Sequence, residues 1–177
     1  MSSIPARSGD LQPLGSRGSN TRHNFDGFLT YSPSGDSSGD SYLQIFRAGS
    51  IEAVESKLIR DRGDGLSIPS VRYERQLIDG LSRFLALQKD LGVEPPVFMM
   101  LSLSGVRGYR MGVDQSRIGL SEDNRIDRDA LVLPEIMIES FDCDAAEVMR
   151  PAFDAIWNAC GWPRSMNYDG EGKWVGH

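Results

Sequence analysis

The sequence predicts an α+β fold. It is a mainly antiparallel sheet of about six strands with two helices packed on one face, in the order strand-strand-strand-helix, twice. Three observations predict it. Residues 42–56 alternate in the manner of a hairpin. Residues 70–91 and 144–160 carry apolar side chains at helical spacing. The longest apolar run, Val97-Phe98-Met99-Met100-Leu101, is bounded by Pro95-Pro96 and Gly105 and is too short for a helix, so it reads as a central strand buried on both faces.

Taken in order, residues 1–22 are rich in Ser, Gly, Pro and Arg and read as a disordered tail or linker stub, since isolated aliphatic side chains do not offset the entropy of ordering. Residues 23–177 read as a single α+β domain. Within it, residues 24–31 form an aromatic strand and residues 32–41 a polar loop. In the hairpin, Tyr42, Gln44 and Phe46 share one face and Leu43, Ile45 and Arg47 the other, with Ala48-Gly49 turning the chain. A charged loop at 60–65 leads to the first helix. Its stripe is Tyr73, Leu77, Leu81, Phe84 and Leu85, with Ile78 and Leu91 beside it. Gly80 weakens its interior by about 1 kcal/mol relative to Ala. Gly92 and Pro95-Pro96 end it.

The apolar run then turns through Ser104-Gly105-Val106-Arg107-Gly108 and returns along 109–113 as a tight hairpin. A charged loop follows at 114–129. The strand at 130–141 is interrupted by Pro134, which predicts an edge position or a bulge. The second helix starts on Asp144, with Glu147 at the capping spacing. Pro151 removes one backbone donor near its start and should kink the first turns. Gly161 and Pro163 stop it.

Composition bounds the function. The chain has 177 residues and a net charge of −6, which disfavours wrapping a long stretch of nucleic acid without partners. Its two cysteines, Cys143 and Cys160, suit neither a disulfide framework nor a zinc site. No apolar stretch reaches the ~20 residues of a membrane span, and no secretory leader is evident. A cytoplasmic protein without cofactor or bound metal is the expectation.

The candidate chemistry is sparse. Arg107, Gly108 and Arg110 at the 105–108 turn could grip an anion or a nucleic-acid backbone, although glycines at a hairpin turn need no further reason. Arg72, Arg75, Arg83 and Lys89 give the first helix a basic side. Glu135 and Glu139 fall on one face of a strand and are the one handle for acid–base chemistry, against the plainer reading of charges guarding an edge. The acidic loop with Glu122, Asp123, Asp127 and Asp129 lacks the order of a calcium loop. His23 and His177 lie at the ends of the chain, so no nucleophilic dyad or triad is supported. Catalytic residues are therefore none.

Several phrases together carry a family resemblance. They are Asn24-Phe25-Asp26-Gly27-Phe28-Leu29-Thr30, Gln44-Ile45-Phe46-Arg47-Ala48-Gly49-Ser50-Ile51-Glu52-Ala53-Val54, Gly92-Val93-Glu94-Pro95-Pro96-Val97, Leu101-Ser102-Leu103-Ser104-Gly105-Val106-Arg107-Gly108, and Ala159-Cys160-Gly161-Trp162-Pro163-Arg164-Ser165. In this order and spacing the set resembles the C-terminal region of bacterial proteins that begin with a Schlafen-type, AlbA-like DNA-binding domain. The resemblance covers residues 24–174. It implies a non-enzymatic accessory, sensory or protein-interaction module of a DNA-associated bacterial regulator, with the upstream AlbA-like domain or a partner protein as its associate. No catalytic residue carries over. Direct nucleic-acid binding is the alternative, and an uncharacterised enzyme the third. An exposed sheet edge would be closed by a homodimer.

Overall fold

The computed structural model describes residues 11–33, 41–59, 66–113 and 124–176. The fold is α+β, and the chain divides into two compact units where one domain was expected. One comprises Met1–Leu58 with Asp79–Pro95, the other Ile59–Ile78 with Pro96–His177. Helix α1, Ser70–Asp90, supplies residues to both. At 1.5 Å per residue it is about 31 Å long, more than one small core needs. Among the described residues there are ten strands, in one four-stranded sheet and three two-stranded ones. All pairings are antiparallel except one.

The first unit is a meander of β1 (Asn20–His23), β2 (Gly27–Tyr31), β3 (Ser41–Phe46) and β4 (Ile51–Glu55), hydrogen-bonded in that order. The β3–β4 hairpin forms as its alternation predicts. Gly49 takes φ +87°, and Phe46 N–H donates to the Ser50 carbonyl at 2.9 Å. Leu43 and Ile45 are buried on one face of β3. From α1 this unit buries Gly80, Leu81, Leu85 and Leu87. The helix ends in a Schellman motif, with Gly92 at φ +76°, Val93 N–H on the Gln88 carbonyl and Gly92 N–H on the Lys89 carbonyl.

The expected disordered tail does not extend to residues 11–22. Pro13 and Leu14 are buried. The Thr30 hydroxyl donates to the Leu11 carbonyl at 2.6 Å, and Arg83 donates to the Gln12 carbonyl at 2.9 Å. Leu14 fills the space at Gly80, where a Cβ would lie 2.5 Å from its Cδ2. The helix glycine that weakened the prediction is the socket for a tail residue.

The second unit holds the remaining strands and helix α2 (Ala145–Ala159). Strand β5 (Ser67–Pro69) pairs with β8 (Arg110–Gly112) in parallel. Strand β6 (Val97–Met99) pairs with β10 (Ile136–Ile138), and β7 (Ser102–Ser104) with β9 (Ala130–Val132). The register shifts by one residue between these last two pairs, because Ser102 faces Val132 whereas Met99 faces Ile136. The chain from 133 to 135 therefore carries a bulge, at the Pro134 that predicts one.

Two expectations fail here. Residues 97–103 and 109–113 do not form a hairpin with each other; each pairs elsewhere. Nor is the apolar run buried on both faces, since Phe98 is 57% and Met100 78% exposed. Its inward side chains alternate with outward ones, and the alternation is hidden because both sets are apolar.

Helix α2 opens on Asp144, whose side chain accepts from Ala146 N–H at 2.8 Å. It runs on through Pro151, which is exposed, as is Glu147, whose carbonyl loses its usual donor there. The inward residues are Ala145, Met149, Ala152, Phe153, Ile156 and Trp157. A second Schellman motif closes it, with Gly161 at φ +77° and Trp162 N–H on the Trp157 carbonyl. The two tryptophan rings meet edge to face across the motif, 6.3 Å between centroids.

At the heart of this unit lies Glu74, fully buried. Its Oε1 accepts from Trp157 Nε1 at 2.8 Å, Ser165 Oγ at 2.7 Å and Tyr73 OH at 3.3 Å. Its Oε2 accepts from Asn167 Nδ2 at 2.9 Å and Trp174 Nε1 at 2.8 Å. Every partner donates, which is the pattern a carboxylate satisfies. The cage ties residues 165–174 to both helices, and Arg75 adds a bond to the Gly176 carbonyl at 2.9 Å while lying over the Trp174 ring.

Candidate functional site

Strand alternation and register decide what the outer face of the four-stranded sheet presents. Arg22, Leu29, Gln44 and Glu52 form one row across β1 to β4, and Tyr31 and Tyr42 pair in the next. Gly27 faces Phe46 on the other side. Arg22, Asp26, Leu29, Tyr31, Tyr42, Gln44, Phe46 and Glu52 line an open groove of about 560 Å³. Leu29, Tyr31, Tyr42 and Phe46 are half-buried, whereas Arg22, Asp26 and Glu52 are exposed. The floor is thus aromatic and the rim charged.

The groove is held by hydrogen bonds of its own. Gln44 is buried, and its amide is saturated from within: Oε1 accepts from Asn24 Nδ2 at 2.6 Å, and Nε2 donates to the Ile45 carbonyl at 3.1 Å and the Phe28 carbonyl at 3.3 Å. The Tyr42 hydroxyl donates to Glu52 Oε1 at 2.5 Å, which fixes that carboxylate and raises the Tyr42 pKa, chiefly through this bond. The turn from Asn24 to Gly27 is closed by Asn24 N–H on the Gly27 carbonyl at 3.0 Å and Gly27 N–H on Asn24 Oδ1 at 2.8 Å. Arg47 braces it from the neighbouring turn, donating its backbone N–H to the Asp26 carbonyl and Nε to the Phe25 carbonyl, each at 3.0 Å. Only glycine fits at 27, because a Cβ would sit 2.1 Å from the Ile45 carbonyl oxygen. The braced turn presents Phe25, which is 92% exposed, beside the groove.

The groove lining holds no Ser, Cys, Lys or His, and it contains a hydroxyl–carboxylate pair, Tyr42 with Glu52.

Arg107, Gly108 and Arg110 are not gathered at one tip. Arg107 and Gly108 sit in a turn closed by Tyr109 N–H on the Val106 carbonyl at 3.0 Å, with Gly108 at φ +81°. Arg110 lies in β8. The Arg107 guanidinium is engaged with Asp129, Nε to Oδ1 at 2.9 Å and Nη2 to Oδ2 at 3.3 Å, and it also donates to the Asp127 carbonyl. That pair holds the Asp129 carboxyl below its ordinary range. An incoming anion would have to displace it.

On α1, Arg75 donates to the Gly176 carbonyl and Arg83 to the Gln12 carbonyl. Glu135 and Glu139 are both exposed. Glu122 and Asp123 lie outside the described residues. Cys160 is buried, and burial pushes its thiol up to about 11, which makes it a poor nucleophile. Among the described residues no group of three or more His, Cys, Asp or Glu is placed to hold a metal, and no helix is long and apolar enough to cross a membrane.

The sequence placed Tyr42, Gln44 and Phe46 on one face but did not join Arg22, Leu29 and Tyr31 to them. The cue was Asp26-Gly27, a hairpin-turn dipeptide that reads easily as part of a single strand over 24–31. No family model, curated protein or solved structure matches the chain.

Proposed function

We propose that the chain is a non-enzymatic protein-interaction module of a DNA-associated bacterial regulator, and that the aromatic groove on its four-stranded sheet is the docking surface for an extended peptide segment of a partner. The observation that carries this reading is the groove itself: Leu29, Tyr31, Tyr42 and Phe46 exposed in part on a sheet face whose buried polar group is already satisfied. Aromatic side chains supply contact area at low entropic cost and are enriched where proteins meet. An open groove of this kind suits an extended chain better than a small ligand, which is normally enclosed. The resemblance to the C-terminal region of AlbA-like proteins supports the regulatory setting.

Direct nucleic-acid binding has less support, since two of the three rim charges are carboxylates and the Arg107 guanidinium already has a partner. The test is selection of the full chain against a random peptide library displayed on phage. The reading expects an enriched peptide family whose binding weakens about tenfold or more in Tyr31→Ala, in a variant whose fold is checked by circular dichroism. Failure to enrich any family, or binding indifferent to Tyr31, overturns it.

A further inference from the structure

We infer that the groove selects a segment carrying a basic side chain, seated over Phe46 between Asp26 and Glu52; this rests on the peptide-docking reading above. Three features point there. First, Phe46 is flanked by acid on both sides. Across one strand pair it faces Gly27, which follows Asp26 and carries no side chain to cover the ring. Across the other, Glu52 is the diagonal neighbour, paired with Gln44. An ammonium or guanidinium placed on that ring meets the aromatic face from below and a carboxylate on each flank.

Second, Glu52 is prepared for a ligand. The Tyr42 hydroxyl occupies Oε1 and orients the group, so Oε2 is the acceptor left for an incoming donor. Third, the one basic rim residue does not quench this corner. Arg22 and Glu52 stand at opposite ends of a row crossing four strands, three strand spacings or about 14 Å apart at the backbone. The lining is therefore polarised, with its cation at β1 and its two carboxylates beside Phe46, while Arg47, outside the lining, is engaged with the Phe25 carbonyl.

The experiment uses octapeptide pools, randomised except for one central position fixed as Arg, Lys, Gln or Glu. Binding to the full chain is read by fluorescence polarisation at low and moderate salt. The Arg and Lys pools should bind about tenfold more tightly than the Gln and Glu pools. The preference should shrink to within about twofold in Glu52→Gln and in Asp26→Asn, exposed and near-isosteric changes whose folding is checked by circular dichroism. Equal binding of the Arg and Gln pools overturns the inference while leaving the docking reading standing. No binding by any pool removes both. Displacement of the bound pool by oligothymidylate overturns both in favour of nucleic acid.

Discussion

Replacing Glu74 by Gln changes one atom and should cost the second unit much of its stability. The amide can keep an oxygen toward only one set of donors. With its nitrogen toward Asn167 and Trp174 it orphans the Trp174 indole N–H, because the Asn167 amide can turn its oxygen to accept. With the nitrogen toward Trp157, Ser165 and Tyr73 it orphans Trp157 alone, because both hydroxyls can turn and accept. Either orientation leaves one indole N–H without an acceptor. One buried unsatisfied N–H costs about 1–3 kcal/mol, and the remaining bonds lose their charge assistance. The sum is about 2–4 kcal/mol, against a total of roughly 5–15 kcal/mol for a domain. All three tryptophans, Trp157, Trp162 and Trp174, lie in this unit, so tryptophan fluorescence during urea unfolding reports it selectively. With a slope of about 2 kcal/mol per molar urea, the midpoint should fall by about 1–2 M. Adding Trp157→Phe lets the nitrogen face Ser165 and Tyr73 with no orphan left, so the double variant should lose about 1 kcal/mol less than the sum of the singles. A Glu74→Gln midpoint within about 0.3 M of the parent would refute the cage as a source of stability.

Three further outcomes follow from the packing. Gly27→Ala should destabilise the first unit by about 2–4 kcal/mol, because the new Cβ meets the Ile45 carbonyl; amide exchange of the β2 and β3 backbone should accelerate, and unchanged protection would contradict the turn geometry. The bulge at Pro134 predicts a reversal of phase along one strand: Leu131→Ala and Ile138→Ala should each cost about 2–5 kcal/mol, whereas Val132→Ala and Met137→Ala, whose side chains point outward, should stay within about 0.5 kcal/mol. Equal costs at 131 and 132 in urea titrations would place the register elsewhere. At alkaline pH, the buried Cys160 thiol keeps its proton to about 11 whereas the unfolded thiol releases it near 9.0. Stability should therefore be level below pH 9 and fall as pH rises toward 11, by about 2–3 kcal/mol from this group, with Tyr73 and Tyr168 adding to the loss since burial raises them too. Urea midpoints measured across that range should fall less steeply in Cys160→Ala, and an unchanged slope there would remove the thiol from the account.

What the sequence disclosed follows how local each signal is. The 42–56 hairpin, both helices, their glycine stops and the bulge at Pro134 rest on residues within a few positions of one another, and all are present. The apolar run misled because burial on both faces and burial on one face look alike when the outward residues are Phe98 and Met100. Glu74 was invisible because its five partners come from Tyr73 and from positions 83 to 100 residues away. Gly80 read as a flaw because its occupant, Leu14, lies in a stretch whose composition argues for disorder.

The groove falls between these cases. Half of it was legible, since alternation alone puts Tyr42, Gln44 and Phe46 on one face. The other half depends on one tight turn. If 24–31 were a single strand, Arg22 and Leu29 would not meet across a strand pair. The Asn24–Gly27 turn brings them into register, and Arg47, from the hairpin that was legible, braces that turn. Side chains that look like ordinary strand alternation become a polarised aromatic face once a four-residue turn fixes the neighbouring pair. The same turn sets Asp26 beside Phe46 and thrusts Phe25 into solvent. The groove is thus specified chiefly by Asn24, Gly27 and Arg47, none of which lines it.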